Sequence, residues 1–447
     1  MKYNKKLKAE FFFLKKNYFD LCHHLNLSFN NKIIIKKIKL GIYSYYLSNG
    51  GRARITSLLL NNLCKNNIVR LYLFTRKVDS EKVSEYYIKN GISRIKIRYP
   101  TLKKIIKEIR KKKTDIFIFQ NSISNEIKLL NNLNNVKTIF YQHQSLFFWI
   151  YKNYTDFKSI YEAYRSSKYI VSLIHLENDY IFRKWGIESV FMYNFITYDL
   201  KRVIPSNLSS KNIIMIGRAD NKLKRFKFGI YAMEYIIQEI PQCEMKILSE
   251  FKNVDRLLKI IEALNLKNNV KFYGYTSTPE IYFKNASLHL FPSISESFGL
   301  ALCETKIYSI PNIIIGLDYL SIYKGGIINI YNDRVESIAK ETIKILTNDK
   351  YRKIIGKAAR KSMHIIDNEL ILNKWIKLIL SVYFGESYYE KLREEDKKIS
   401  ENEAKKILSS QLNLLKMRNS IFNNIKINNI NNFTHMKNLE IKKHFIN

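Results

Sequence analysis

The sequence predicts an α/β protein made of two doubly wound, Rossmann-like domains facing each other across a cleft, with a helical C-terminal extension. Three observations carry that expectation. The chain has 447 residues, more than one core accommodates, since single hydrophobic cores stop growing near roughly 250–300 residues. Apolar runs of strand length alternate with stretches of helical periodicity, the pattern of βαβ units and a parallel sheet. The alternation is interrupted at residues 200–211, Leu-Lys-Arg-Val-Ile-Pro-Ser-Asn-Leu-Ser-Ser-Lys, by a proline and a Ser/Asn cluster that read as a linker.

The elements follow in order. Residues 1–37 mix lysine clusters with Phe11, Phe12, Phe13, Leu14 and Phe19 and read as a basic leader, with an amphipathic membrane-touching segment as the competing reading. The apolar run Ile38–Tyr46, the turn Ser48-Asn49-Gly50-Gly51 and the helically spaced Ile55, Leu58, Leu59 and Leu63 form a strand, glycine turn and helix. Strands are expected near Val69–Thr75, Arg94–Arg98, Asp115–Gln120, Val136–His143, Tyr169–Ile174 and Val190–Asn194. Helices lie between them, for example through Leu102, Ile105, Ile106 and Ile109, or Ile160, Ala163 and Tyr164. A second series runs from strand Asn212–Ile216 through a helix with Phe226, Ile230, Met233 and Ile237 on one face, then strands Met245–Leu248, Val270–Tyr273, Leu288–Phe291 and Asn312–Ile315. Helical patterns fill 334–384, and a charged, Asn-rich tail follows. The expected organisation is a leader (1–37), a first domain (38–205), a second domain (206–370), a helix that returns to the first domain (371–384) and the tail (385–447).

Composition narrows the function classes. The balance of 76 Lys plus Arg against 39 Asp plus Glu gives a net charge of +37, compatible with phosphorylated substrates, an anionic membrane surface or nucleic acid. Lysine is abundant throughout, so compositional bias accounts for much of the excess. Basic residues are not interleaved with aromatics in a nucleic-acid-binding motif, and no nucleic-acid partner is expected. Cys22, Cys64, Cys243 and Cys303 have neither zinc-site nor disulfide spacing. No run approaches the roughly 18 apolar residues of a membrane span. A cytoplasmic protein, peripheral at the inner face of a membrane at most, is expected.

The chemistry concentrates in two loops. Residues 286–305 read as a strand ending at Pro292-Ser293, a turn bearing Glu296, Gly299, and a helix bearing Glu304. Free N–H groups at that helix start suit phosphate or hydroxyl oxygens, and carboxylates accept bonds from vicinal hydroxyls. The loop Gly217-Arg218-Ala219-Asp220-Asn221-Lys222-Leu223-Lys224-Arg225 also leaves a strand and enters a helix, and Arg218 with Lys224 is able to clasp a diphosphate. Taken alone, the first loop is a surface acid and a dipole-facing acid, or an acid/base pair, and the second a solvated basic loop. Together they favour a phosphorylated, polyhydroxylated ligand. His143 ends a strand where a ligand hydroxyl is within reach, and Gly50-Gly51 allows close backbone approach. The Gly-x-Gly-x-x-Gly fingerprint and the P-loop are both absent, which excludes neither fold but points away from a nicotinamide cofactor and an ATPase.

These motifs resemble the retaining nucleotide-sugar glycosyltransferases of family four, which have the GT-B fold. The resemblance spans residues 38–384 and rests on Ile216-Gly217-Arg218 with Lys224-Arg225, on Asn269–Tyr275, and on Phe291-Pro292-Ser293 followed by Glu296-x7-Glu304. It implies that Arg218 and Lys224 hold the donor diphosphate, with Lys222 a rival for the lysine role. It further implies that Glu304 binds the ribose, that Glu296 meets the donor sugar, and that Phe298, Gly299 and Leu300 offer backbone amides. Gly217 precedes the arginine, Gly51 corresponds to the first-domain glycine loop, and His143 lies near the donor sugar. The implied activity is transfer, with retention, of a hexose or N-acetylhexosamine from a nucleoside diphosphate sugar to a glycan or lipid-linked acceptor. The implied setting is cell-surface polysaccharide or glycolipid synthesis. Arg52-Ala53-Arg54 stands where an acid is common, a departure that bears on the acceptor. Cations that receive the leaving-group charge make a metal unnecessary, and no Asp-x-Asp motif is present, so neither metal nor cofactor is expected. An epimerase or phosphorylase of the same fold, or a catalytically dead anion-binding protein, are the alternatives.

Overall fold

The computed structural model describes residues 36–385 apart from 48–49, 77–84, 121–132, 134, 147–160, 162–163, 166–168, 188, 219–221 and 252–253. The expected leader, except for its last two residues, and the tail from 386 onward lie outside the described residues. So does the middle of the basic loop. The described residues form two compact units, one of residues 36–197 with 366–385 and one of residues 198–365.

The first unit holds a parallel sheet of strands β1 (Ile38–Ser44), β2 (Val69–Arg76), β3 (Ser93–Ile97), β4 (Ile116–Phe119), β5 (Lys137–Tyr141), β6 (Tyr169–Ser172) and β7 (Val190–Phe191), in the order β3-β2-β1-β4-β5-β6-β7. The inner strands β4 and β6 are buried at every position, as in a parallel sheet covered on both faces, whereas edge strand β3 is only partly buried. Helix α1 (Gly51–Leu63) follows β1, α2 (Leu102–Lys111) follows β3, and α3 (His175–Trp185) follows β6. Thr101 caps α2 by accepting a bond from the Lys104 N–H.

The second unit repeats the plan with β8 (Asn212–Ile216), β9 (Glu244–Leu248), β10 (Val270–Phe272), β11 (Leu288–Phe291), β12 (Asn312–Ile315) and β13 (Ile327–Ile330), ordered β10-β9-β8-β11-β12-β13 and parallel throughout. Its helices are α4 (Phe226–Glu239), α5 (Asp255–Ala263), α6 (Glu280–Phe283), α7 (Leu300–Ile307), α8 (Val335–Thr347) and α9 (Asp349–Ser362). Ile230, Met233 and Ile236 of α4 share one core with Ile213 and Met215 of β8 and with Ile338 and Ile345 of α8. Strand β13 was not expected from the sequence. It is a four-residue edge strand, entered through Gly325 and Gly326 at φ 77° and 68°. A Cβ on Gly326 would sit 2.3 Å from the Ala359 Cα, so glycine is what lets the turn lie against α9.

The Pro/Ser segment after residue 200 is docked rather than free. Ser206 is buried, its hydroxyl donates to the Ala286 carbonyl at 2.7 Å, and its N–H donates to the Tyr308 carbonyl at 2.7 Å. Helix α10 (Asn368–Phe384) belongs to the first unit, where Trp375 packs edge-on against Tyr141 at 5.1 Å and Asn368 donates to the Ile196 carbonyl. Asp367 caps it through the N–H groups of Glu369 and Leu370. No described helix is long and apolar enough to cross a membrane.

Candidate functional site

In each sheet the strand order reverses at one place, between β1 and β4 in the first unit and between β8 and β11 in the second. Connections leave such neighbouring strands in opposite directions, so a crevice opens beyond their C-terminal ends. In the second unit the two loops singled out from the sequence leave those two strands. Gly217 follows β8, and Pro292 to Glu296 follow β11.

Gly217 has φ 148°, and the Lys224 side chain passes over it, with Cδ and Cε 3.6 Å from where a Cβ would stand. Lys224 closes the 3-10 turn Lys222–Lys224 and reaches across the crevice to form an ion pair with Glu296. The pair is mostly buried, with side-chain exposures of 23% and 14%. The ammonium also lies 5.3 Å from the centre of the Phe291 ring, a cation–π distance. Arg218 is exposed, and among the described residues it makes no hydrogen bond or ion pair.

Arg225 explains why the basic pair of the motif diverges. At φ 49° it turns its side chain inward, where the guanidinium is buried, donates to the Pro292 carbonyl at 2.9 Å, pairs with Asp333 at 2.9 Å and stacks over Phe228. It thereby ties the end of β8 to the turn after β11 and leaves Lys224 to face the crevice. The Ile294 N–H adds a second tie, to the Leu223 carbonyl at 2.8 Å.

Helix α7 starts at Gly299, whose φ of 81° and ψ of 62° suit glycine, and no side chain caps it. Its first-turn N–H groups have no intrahelical acceptor. Phe298 is buried, so this residue contributes backbone and packing rather than an exposed ring. Glu304 lies one turn further along α7 and is buried, at 4% exposure. Ser293, at the end of β11, has a buried hydroxyl with no hydrogen-bond partner among the described residues.

Two contributors escaped the sequence reading. The buried Tyr319 hydroxyl donates to the Glu296 carbonyl at 2.9 Å and accepts from the Glu296 N–H at 3.0 Å, clamping that residue's backbone from both ends. Lys306, buried on α7, donates to the carbonyls of Ile322 and Lys324 at 2.6 and 2.8 Å. Burial lowers its pKa to about 8. Residues 317–324 thus form a strap from the helix of Glu304 to the turn of Glu296. Nothing local in Leu317-Asp318-Tyr319-Leu320 signals this, because the strap exists only once β12 is in place. Below the crevice, His289 is buried beside Asn312 (2.7 Å) and Thr305 (3.1 Å), and burial holds its pKa down at about 4.

Gly51 and His143 belong to the first unit. Gly51 opens α1, and the next residue, Arg52, donates to the Gln120 carbonyl at 3.2 Å after β4. His143 stands two residues beyond β5, packed on Tyr141 at 4.1 Å. Burial and the neighbouring Arg52 pull its pKa down to about 3. The imidazole is therefore neutral at pH 7 and suited to hydrogen bonding rather than to carrying charge.

Residues 198–362 match the model of the family described as Glycosyl transferases group 1. The match falls within the second unit, and the two parallel-sheet units have the GT-B fold. Among solved structures, the chain is similar to sucrose-phosphate synthase from Thermosynechococcus elongatus, with TM-score 0.64 and 16% identity over 78% of this chain and 100% of the other. It is also similar to HepE of Anabaena in complex with UDP and glucose, with TM-score 0.60 and 13% identity over 77% and 99%.

Among curated proteins, it is 25% identical to the poly(ribitol-phosphate) alpha-N-acetylglucosaminyltransferase of Staphylococcus aureus over 45% of this chain and 41% of that one. Identity to the poly(glycerol-phosphate) alpha-glucosyltransferase of Bacillus subtilis is 27%, over 40% and 28%. Identity to the N-acetylgalactosamine-N,N'-diacetylbacillosaminyl-diphospho-undecaprenol 4-alpha-N-acetylgalactosaminyltransferase of Campylobacter jejuni is 26%, over 60% and 78%. The matches span less than half the length of the first two relatives.

Proposed function

We propose that the protein is a glycosyltransferase that moves a hexose or N-acetylhexosamine, with retention, from a nucleoside diphosphate sugar to a polymeric or lipid-linked glycan acceptor of the cell surface. The observation that carries this reading is the meeting of Lys224 and Glu296 across the β8/β11 crevice, beside the uncapped start of the helix that bears Glu304. UDP is the favoured nucleotide, because a solved relative of the same fold binds UDP and glucose. The named sugars of the curated relatives support the hexose class, and their acceptors support a polymer or a lipid-linked chain.

In this reading Lys224 and the exposed Arg218 hold the diphosphate. Breaking the bond between the sugar C1 and the phosphate oxygen sends its electron pair to the diphosphate, and cations already in place stabilise that charge more in the transition state than in the ground state. The acceptor hydroxyl oxygen bonds to C1 on the face the phosphate leaves, and its proton passes to the departing phosphate oxygen. Glu304 accepts from the ribose hydroxyls and Glu296 from the donor sugar. The amides of Phe298, Gly299 and Leu300 meet phosphate or sugar oxygens, and Gly217 leaves room for the Lys224 stem. Arg218 and Lys224 carry the charge that a divalent ion would otherwise neutralise, so turnover needs no metal.

The test is release of nucleoside diphosphate from a panel of nucleotide sugars by the purified full chain, with and without EDTA. Release expected with at least one UDP-sugar should persist in EDTA and be lost in Lys224→Ala and Glu304→Ala. Undiminished turnover in both variants overturns the assignment.

A further inference from the structure

A second cationic site lies at the other end of helix α7. A cavity of about 500 Å³ opens there, and every charged side chain lining it is basic: Lys201, Lys353, Lys357, Arg360 and Lys361, with His364 beside them. Lys353, Lys357 and Lys361 recur every four residues on α9, so they stand on one face of that helix. The opposite face is the one that packs, through Arg352, Ile355, Gly356 and Ala359. The four lysines and His364 are exposed, and none has a side-chain partner among the described residues.

Acids close to these lysines in sequence are already engaged. Asp199 pairs with Arg202 at 3.3 Å, and Asp349 pairs with Arg352 and with Lys211. The wall is rigid, because Arg360 spends its guanidinium on the carbonyls of Ile307, Leu200 and Val203. Leu208 and Ser309 close the floor and are buried. Since Ile307 ends α7 and Gly299 begins it, the cavity stands on the order of 12 Å along that helix from the start that faces the crevice. A ligand held here does not occupy the crevice.

Like-charged ammonium groups gathered without counter-carboxylates repel one another, and an anion relieves that repulsion. Exposed aliphatic residues add a second feature. Ile204, Ile354 and Ile365, each next in sequence to a lining residue, are 76%, 57% and 48% exposed. Aliphatic side chains among lysines suit the boundary between phosphate headgroups and acyl chains better than a freely soluble anion. We propose that this face of the second unit docks on an anionic bilayer, with the cavity taking a lipid phosphate headgroup. The proposal goes beyond the transfer reaction and does not depend on it.

The experiment is cosedimentation of the full chain with phosphatidylcholine vesicles containing 30 mol% phosphatidylglycerol or none. It compares wild type with the triple variant Lys353→Gln/Lys357→Gln/Lys361→Gln and with a charge-matched control, Lys259→Gln/Lys267→Gln/Lys340→Gln, whose exposed lysines are not among the residues lining the cavity. Each lysine near an anionic surface raises partition about fivefold. The triple variant should therefore lose roughly a hundredfold in partition to the anionic vesicles, and the control should lose far less. All six sites are exposed, so folding is expected to survive, and circular dichroism checks it. Equal loss in the control, an unchanged triple variant, or equal binding to neutral vesicles each overturns the proposal. Binding of inorganic pyrophosphate that depends on the three lysines, with no vesicle binding, also overturns it in favour of a soluble anion.

Discussion

Replacing Tyr319 with phenylalanine removes one oxygen and nothing else from the strap over the crevice. That oxygen makes two hydrogen bonds to the backbone of Glu296, at 2.9 and 3.0 Å, and the tyrosine is buried at 5% exposure. Each such bond contributes about 1 kcal/mol net, so the turn loses about 2 kcal/mol of positioning if neither group finds another partner. Expressed in the transition state, that is roughly a thirtyfold fall in kcat/KM. The ion pair to Lys224 remains, so Glu296 stays near the crevice while its orientation loosens.

The assay is initial-rate release of nucleoside diphosphate at varied donor concentration, paired with a thermal melt. The expected result is a fall in kcat/KM larger than the change in stability accounts for. Lys306→Met releases the same strap from its other end, at the carbonyls of Ile322 and Lys324. The two substitutions should therefore be less than additive in kcat/KM, because one strap is lost only once. A Tyr319→Phe enzyme within twofold of wild type, or full additivity of the pair, refutes the strap.

Further outcomes follow from the same geometry. Lys224→Ala should lower kcat by about a hundredfold to a thousandfold, the usual cost of removing one preorganised group that meets developing charge, measured as donor turnover at saturation. His289 is neutral when folded, with its pKa lowered to about 4. Between pH 6.5 and 4 the unfolded chain binds a proton that the folded one does not, so acidification through that window costs about 3 kcal/mol at this site. Urea midpoints of His289→Gln should fall less steeply with acid than those of wild type. Lys306 has the same sign at the other end of the scale, since its pKa is lowered to about 8. Its buried charge costs most below pH 8, and its contribution becomes more favourable as pH rises toward 10.5. Lys306→Met should flatten the alkaline limb of the urea midpoint profile. Gly326→Ala should cost about 1–3 kcal/mol by overpacking against the backbone of α9, read from urea unfolding.

The basic loop and the Glu296-x7-Glu304 stretch were legible because strand-to-loop-to-helix transitions leave local marks. An apolar run stops at a proline or glycine, and polar residues follow before helical spacing resumes. Gly217 and Gly299 announce themselves for the same reason, as both adopt positive φ. Strand β13 was missed because four residues at a sheet edge, with Asn329 among them, carry too little periodicity to stand out from the helical pattern that follows. Arg225 was read as part of a basic pair, since sequence shows its charge but not its left-handed backbone, which turns the guanidinium inward to Pro292 and Asp333.

By itself the sequence determined the two α/β units, their parallel sheets and the strand-to-helix loops after β8 and β11, because strand and helix periods and turn residues are properties of consecutive positions. Tertiary structure alone decided what faces what. The strand order that puts β8 beside β11 brings Lys224 to Glu296 across 72 positions, carries Tyr319 over the Glu296 backbone, and sends Arg360 to three carbonyls at the far end of α7. Those contacts join residues far apart in the chain, and their energies depend on burial and distance that no local pattern records.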